Sequence, residues 1–480
     1  MSNPSMTAQP QDRPPLRDSL RLIITAWLFG SAWMYLAGGA AFTRYAKLLK
    51  VTPFGFGLLA AIPFLAASVQ LPTSLFLERH GGRKSVFIWS ATAHRFLWVV
   101  LGFLPWLLPA SWQWPGLLVL NFVSVVLANV ASPAWMSWMA DVIPSRLRGR
   151  FNARRIQFGQ AVGLVLSLLA GLALDWPDAS QQILLRNIIS GMFVVAGFCG
   201  MADILLFLPI PDPKPVHRQP VLSLAELVRE PLRNPAFRAF VGYSATMTFA
   251  TGFVGQFIWL YVFDVVGMSN TRANLLLCAV PILVSMGAYP FWGRMVDRFG
   301  SKPTLLLAGL VVINGANTWI LVTPTSWIPG YILVLTAVAA WPGMELAGFN
   351  LLLRLTGTGN RGRASSAVVA INSMAVAVAG TLSGLFGGMV MELLGPGWHT
   401  TIMGWPLTSH GVLFLVSAVL RALALVWILS LKEERQVGTR DALHYMMVNL
   451  FSNVQQVGFL PIRMLANLAR QTWRLPPRRR

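Results

Sequence analysis

The feature that most restricts this chain is a series of about twelve apolar runs. Each is long enough for a helix to cross a bilayer core, which takes about 20 residues at 1.5 Å apiece. They run from Leu22 to Phe42, Phe54 to Leu77, Val86 to Leu108, Trp114 to Ala140, Ile156 to Leu174 and Ile188 to Leu208, then from Ala239 to Phe263, Asn274 to Met295, Thr304 to Val322, Ile328 to Leu353, Ala364 to Leu394 and Leu407 to Leu431. Lipid offers no partner to backbone polar groups, and strands would need alternating residues, so the runs are expected to be helices. Pro63, Pro133, Pro281 and Pro342 fall inside them, where a local break in the ladder is tolerated. The fold class expected is an all-α polytopic membrane protein.

Composition agrees. Only 11% of the 480 residues are charged, against about 25% in soluble proteins, too few to cover a water-soluble globule. A cytosolic enzyme, a disordered chain and a nucleic-acid binder are thereby disfavoured. The net charge of +21 does not change this, because the basic residues sit between apolar runs, as membrane topology requires. Cys199 and Cys278 lie inside runs and read as small hydrophobes, with no disulfide, metal site or cofactor implied. The first run follows a polar, Pro-containing segment and exceeds a signal-peptide core, so it reads as a retained span.

The long connector from Pro209 to Phe237 holds Pro209, Pro211, Pro213, Pro215 and Pro220. It divides the chain into an N-terminal segment 1–21, a six-span bundle 22–208, a linker 209–238, a second six-span bundle 239–431 and a tail 432–480. Connectors after even-numbered spans carry most of the Lys and Arg, among them Arg79, Arg83, Lys84, Arg146, Arg148, Arg150, Arg154, Arg155, Arg294, Arg298, Lys302, Arg354, Arg361 and Arg363. The positive-inside rule puts these connectors and both termini in the cytoplasm. Arg44, Lys47 and Lys50 in the first outer loop are the exception. They read either as residues snorkelling to the interface or as an anion-attracting vestibule.

The halves repeat their loop chemistry. Glu78-Arg79-His80-Gly81-Gly82-Arg83-Lys84 follows span two, and Gly293-Arg294-Met295-Val296-Asp297-Arg298-Phe299-Gly300-Ser301-Lys302 follows span eight. Arg148-Gly149-Arg150 follows span four, and Arg361-Gly362-Arg363 follows span ten. Two matches at nearly one offset argue for a duplicated six-helix unit.

With these motifs the sequence resembles the major facilitator superfamily, whose loop pattern G-x-x-x-[DE]-R-x-G-x-[RK] is complete from Gly293 to Lys302. The first copy has Ser74 for the leading Gly and Glu78 for the commoner Asp. Ala140 to Arg150 is similar to the four–five loop of many bacterial members. The Gly-Pro drug-antiporter signature of span five is not evident, although Gly159, Gly163 and Gly171 are present. The resemblance implies two six-helix bundles around a central cavity, in a bacterial inner membrane. It implies gating by Glu78 and Asp297 with Arg79, Arg83, Arg298 and Lys302 around them, Gly81, Gly293 and Gly300 shaping the turns, and Arg148, Arg150, Arg361 and Arg363 as partners. Physically, a carboxylate at a helix end can meet an Arg from a neighbouring loop when that face is closed and release it when open. The alternative is that these charges only fix topology.

Four ionisable residues lie at membrane depth, where they are expensive. Arg95 and Asp203 read as a structural ion pair, Arg421 as structural or snorkelling. Glu345, after Trp341-Pro342-Gly343, is the strongest candidate for a proton or a cationic substrate, with a hydrogen bond to a neighbouring helix as the bland alternative. The resemblance places spans one, four, seven and ten on the cavity, and with them Trp33, Tyr35, Asn129, Trp135, Trp138, Gln256, Trp259 and Asn350. Trp can stack on a ring or hold a cation, though most Trp in such a chain mark interfaces. His94 reads as a packed polar residue. The tail carries apolar residues at helical spacing among Arg463, Arg470, Arg474 and Arg478 to Arg480, as in a segment lying on an anionic leaflet.

The function expected is a monomeric secondary transporter that moves a small molecule by alternating access, with a proton or another ion as coupling partner. A membrane-embedded enzyme would need convergent catalytic groups, and the six His are scattered. A non-transporting sensor on the same fold is the remaining alternative.

Overall fold

In the computed structural model, residues 16–178, 180–213, 231–357, 363–395, 397–402 and 405–431 are described, with 443, 445 and 446. Twelve helices are long and apolar enough to cross a membrane: α1 (Leu16–Ala37), α2 (Pro53–His80), α3 (Arg83–Leu107), α4 (Ala110–Val142), α5 (Arg146–Asp175), α6 (Gln182–Leu205), α7 (Pro235–Val265), α8 (Asn270–Phe299), α9 (Ser301–Leu321), α10 (Trp327–Leu355), α11 (Val368–Leu394) and α12 (Ser409–Leu429). Consecutive helices run antiparallel, so connectors after odd-numbered helices share one end of the molecule and connectors after even-numbered helices the other. These are called the odd-loop and even-loop ends.

The helices generally extend past the apolar runs, and three of the differing boundaries have a clear local reason. The first run ends at Ala37, and a separate short helix, Gly39–Leu48, takes up its remainder. The chain turns at Gly39, whose φ of +58° favours glycine. The fifth helix begins ten residues earlier than the apolar run, so Arg146, Arg148, Arg150, Arg154 and Arg155 are helical and not in a loop. Leu407 and Thr408 belong to a hairpin, β1 (His399–Ile402) and β2 (Trp405–Thr408), paired antiparallel with His399 opposite Thr408. Thr408 then caps α12 by accepting from Gly411 N.

Each bundle is held by the same kind of anchor. Lys84 Nζ at the start of α3 donates to the carbonyls of Leu208 and Ile210 beyond α6, 2.7 Å each. Lys302 Nζ at the start of α9 donates to the carbonyls of Leu429 and Leu431 at the end of α12, at 3.2 and 2.5 Å. At the opposite end the Tyr45 hydroxyl donates to the Leu101 carbonyl, and the Tyr261 hydroxyl donates to the Val322 carbonyl at 2.9 Å. The lysines lie 218 residues apart and the tyrosines 216. The duplication read from the loops is therefore also present in the hydrogen bonds that tie helix to helix. Turns at both motif copies use glycine in the left-handed region, Gly81 and Gly82 at φ +69° and +71° and Gly300 at +91°.

The bundles meet along two seams. Helices α2 and α11 touch through glycines: a Cβ on Gly57 would sit 2.5 Å from the Gly384 carbonyl oxygen and 2.6 Å from Gly388 Cα. Only small residues allow backbones this close. The second seam joins α5 to the first residues of α8. There Asn274 Nδ2 donates to the Ser167 carbonyl at 2.8 Å, and a Cβ on Gly171 would press on Thr271 Cα. Both seams occupy the odd-loop half of the molecule.

Candidate functional site

At the odd-loop end the seams are closed by polar contacts between bundles. Asp175 accepts from the backbone amides of Asn270 and Thr271 at 2.7 and 2.9 Å. Arg44 Nε donates to Asn270 Oδ1 at 2.7 Å, and its guanidinium lies 4.0 Å from the Phe263 ring centroid. Burial lowers the Arg44 pKa, while Asp264 and Asp175 oppose that shift. Lys47 pairs with Asp264, and Glu392 accepts from Phe54 N at 3.0 Å. Arg44 and Lys47 therefore contact the opposite bundle, and neither snorkelling nor an open vestibule describes them. Trp259 belongs here too: a Cβ on Gly39 would lie 3.3 Å from its ring, so it packs in the seal and not in a cavity beyond it.

Deeper in the amino bundle is a charged cluster. Arg95 Nη2 on α3 lies 3.4 Å from Asp203 Oδ2 on α6, and the Arg95 guanidinium stacks 3.5 Å from the Trp33 ring. Gly30 gives Asp203 its space, since a Cβ there would sit 2.5 Å from Oδ2. Trp33 also meets His94 edge-on at 5.1 Å, and His94 Nδ1 hydrogen-bonds the Ser124 hydroxyl at 2.7 Å. Trp33 is thus turned into the bundle, toward α3, away from the face of α1 that bears Trp27, Ser31 and Tyr35.

That face of α1 packs on α5. Gly159 lies against Trp27 and Ser31, and Gly163 against Tyr35. One turn before Gly159 stands Arg155. Its guanidinium packs against two indoles, 4.0 Å from the Trp27 ring centroid and 4.5 Å from that of Trp135. It makes no hydrogen bond or ion pair among the described residues, and its Nε is buried without an acceptor. The sequence reading counted Arg155 as a loop charge because the apolar run begins at Ile156. The sign of its depth was available in the spacing: Arg155, Gly159 and Gly163 recur every four residues opposite Trp27, Ser31 and Tyr35.

In the carboxyl bundle the Tyr289 hydroxyl on α8 donates to Glu345 Oε2 on α10. Both side chains are exposed. An ionisable group at this depth is costly against lipid, and the Tyr289 hydroxyl gives the Glu345 carboxylate a partner there. Following the α5–α8 pairing of Gly171 with Thr271 and Ser167 with Asn274 inward brings Arg155 level with Tyr289 to within about one helical turn. Arg421 is buried, its Nη1 donating to the Val312 carbonyl at 2.9 Å with Trp341 5.9 Å away. Asn350 Nδ2 turns back to the Leu346 carbonyl, and Asn129 Oδ1 accepts from Gln70 on α2 at 2.6 Å. Gln256 lies in an irregular stretch of α7, residues 253–256. Trp138 is buried, its Nε1 donating to the Pro211 carbonyl at 2.9 Å.

At the even-loop end the expected clasps are not made in this conformation. Glu78 and Asp297 are exposed and form no hydrogen bond or ion pair among the described residues, and Arg79 and Arg150 are exposed. Arg148 turns back onto the carbonyls of Ile143 and Ala140. Arg83 instead ties the amino bundle to itself. It is buried, binds Asp141 at 2.5 Å and Asp212 at 2.9 Å, and donates to the carbonyls of Ser137 and Pro213. A Cβ on Gly293 would touch nothing within 4 Å. Arg298 lies over Tyr445, whose ring centroid is 5.3 Å from Phe299, so the tail returns to the second motif copy. Arg361, residues 214–230 of the linker and most of the N-terminal and C-terminal segments lie outside the described residues, as does the side chain of Arg363.

Two bundles of six helices, repeated anchors and a polar layer at matched depth define a membrane carrier scaffold. The sequence profile of the Major Facilitator Superfamily matches residues 22–380, and the chain belongs to that family. It is 26% identical over 263 residues to the multidrug resistance protein MdtG of Klebsiella pneumoniae (strain 342), an alignment covering 54% of this chain and 59% of that protein. The chain thus spans somewhat over half the length of this relative. Among solved structures, the nucleoside transporter NupG superposes with a TM-score of 0.62 at 13% identity, over 87% of this chain and all of that one. The xylose transporter XylE from E. coli in an inward-open conformation superposes with a TM-score of 0.60 at 14% identity, over 90% of this chain and 99% of that one. At these identities the likeness is one of fold.

Proposed function

We propose that this protein is a secondary active transporter that carries a small solute across a bacterial inner membrane by alternating access, as a monomer. In this reading the odd-loop end faces outward, and both termini and the even-loop end face the cytoplasm. The excess of Lys and Arg on even-numbered connectors favours that orientation. The observation that carries the reading is the concentration of inter-bundle contacts at one end. The Gly57 seam, the Asp175 amide bonds and the Lys47–Asp264 pair all lie in the odd-loop half, while Arg155, Tyr289 and Glu345 lie beyond them. Among the described residues Glu78 and Asp297 have no ion-pair partner at the far end, as they would with the inner face open. Rocking one bundle against the other would exchange these two sets of contacts.

Glu345 is the coupling residue of this proposal. It accepts from Tyr289 across the contact between α8 and α10, a carboxylate at membrane depth of the kind that couples transport to an ion. Trp135 and Asn129 contribute to the same layer from the amino bundle, whereas Trp33 and Trp259 act in packing and sealing.

Cysteine labelling tests the orientation and the motion. With Cys199 and Cys278 replaced by alanine, Trp112→Cys should react with an impermeant maleimide on intact cells, and Arg79→Cys only after permeabilisation. The reverse pattern would overturn the orientation. In proteoliposomes, solute counterflow with an accompanying proton flux is expected, and Glu345→Gln should retain the counterflow and lose the proton flux. Coupled flux unchanged in that variant would remove Glu345 from its role.

A further inference from the structure

Among the described residues Arg155 is a cation with no salt-bridged or hydrogen-bonded counterion. A buried guanidinium is normally paired, because leaving it alone in a low-dielectric setting is strongly unfavourable. Here the guanidinium packs against two indoles, 4.0 Å from the Trp27 ring centroid and 4.5 Å from that of Trp135. Two such contacts restrain the group and stabilise its charge without supplying a hydrogen-bond acceptor, so its N–H donors remain for a partner. The nearest acid, Asp203, feels Arg155 electrostatically but is engaged by Arg95 at 3.4 Å. Arg95, Arg155 and Asp203 together carry one net positive charge. The surrounding polar atoms are also unpartnered among the described residues: Arg155 Nε, Trp27 Nε1 and Ser31 Oγ are all buried without a hydrogen bond.

We infer that Arg155, held against Trp27 and Trp135, is the binding site for the carboxylate of an organic monoanion. The inference rests on the carrier reading above and gives its solute a chemical class. A carboxylate offers two coplanar oxygens to a guanidinium edge. Its single negative charge matches the single uncompensated positive charge of the cluster. The site is half-buried on α5, about ten residues or 15 Å along the helix from its even-loop end, and level with Tyr289 across the inter-bundle space. The solute's organic portion would extend from Arg155 toward that space. Glu345, itself acidic, would favour a solute with no second negative charge.

Binding is measured on the full-length protein in detergent, through its tryptophan fluorescence, with benzoate and 1-naphthoate as probes and benzamide as the neutral control. A saturable response to at least one carboxylate is expected, with none to benzamide. Arg155→Gln should weaken carboxylate binding at least tenfold. Arg155→Lys, which keeps the charge and loses the planar fork, should fall between the two. Monodispersity by size-exclusion chromatography shows that the variants fold. No response to either carboxylate, equal responses in the wild type and Arg155→Gln, or an equal response to benzamide would each overturn the inference. Counterflow of labelled benzoate in proteoliposomes separates this inference from the carrier reading. Binding without counterflow leaves the anion site standing and removes the carrier. Absence of binding removes the anion site and leaves the carrier to be judged by the labelling pattern.

Discussion

The amino and carboxyl bundles share a scaffold and differ in what they bury. Lys84 and Lys302 anchor equivalent helix ends, and Tyr45 and Tyr261 brace the opposite ends. The charges do not repeat in kind: at the lysines' offset of 218 residues Asp203 corresponds to Arg421, and Arg95, Arg155 and Glu345 have no ionisable counterpart. The amino bundle holds Arg95, Asp203 and Arg155 around three indoles, whereas the carboxyl bundle holds Arg421 against a carbonyl and Glu345 against a phenol. Duplication explains the anchors, since each bundle must solve the same packing problem alone. The asymmetric charges have no packing reason to differ, and so they mark where the two copies took on separate tasks.

The largest effect is expected where the asymmetry is deepest. Asp203→Asn removes the partner of Arg95 and strands a buried cation, which costs about 3–5 kcal/mol. Thermal unfolding in detergent should show this as a large loss. The double variant Arg95→Met with Asp203→Leu should recover most of it, because an apolar replacement leaves no charge unpaired. In the carboxyl bundle Arg421→Met removes a charged donor from a carbonyl that keeps its helical bond, a loss of about 1–3 kcal/mol. Equal losses at Asp203 and Arg421 would mean that the two bundles bury charge in equivalent ways.

The shared anchors sharpen the same comparison from the other side. Lys84→Met and Lys302→Met should each destabilise by about 1–3 kcal/mol, since each strips two carbonyls of a charged donor. The two losses should agree to within the scatter of the measurement. A loss confined to one lysine would break the structural equivalence of the copies.

How much of this was legible in the sequence follows from which signals are local. The twelve helices and the duplicated loops were readable because apolar length and loop motifs are written in consecutive residues. The ends of helices were less so: α5 begins among arginines that hydropathy assigns to a connector, and that shift hid Arg155. The roles of Trp33 and Trp259 were not readable from their helix number. Each sits on a helix assigned to the cavity, but Trp33 points at α3 and Trp259 at Gly39. Arg44 and Lys47 read as exceptions to the charge rule because their partners, Asn270 and Asp264, lie more than 200 residues away. A single chain without its pairings cannot show that an outlying charge is half of a bridge.

The smallest effect concerns that bridge, and it bears on motion more than on stability. Lys47 and Asp264 are about one-third and two-fifths exposed, and pairs of that kind contribute at most about 1 kcal/mol. Lys47→Ala should therefore leave thermal stability nearly unchanged. The pair joins the bundles only while the odd-loop end is closed, so its loss acts entirely on the balance between states. A shift of 1 kcal/mol changes that balance by a factor of about 5. Spin labels at Trp112 and Ile328, on opposite bundles near the odd-loop end, read the outcome as two distance populations. The longer one should grow by up to that factor in Lys47→Ala and by a similar amount in Asp264→Ala. The double variant should add nothing to either, since one contact is removed in all three. A longer population that grows equally when Lys84 is replaced would show that the scaffold anchors, and not the seam, set the balance.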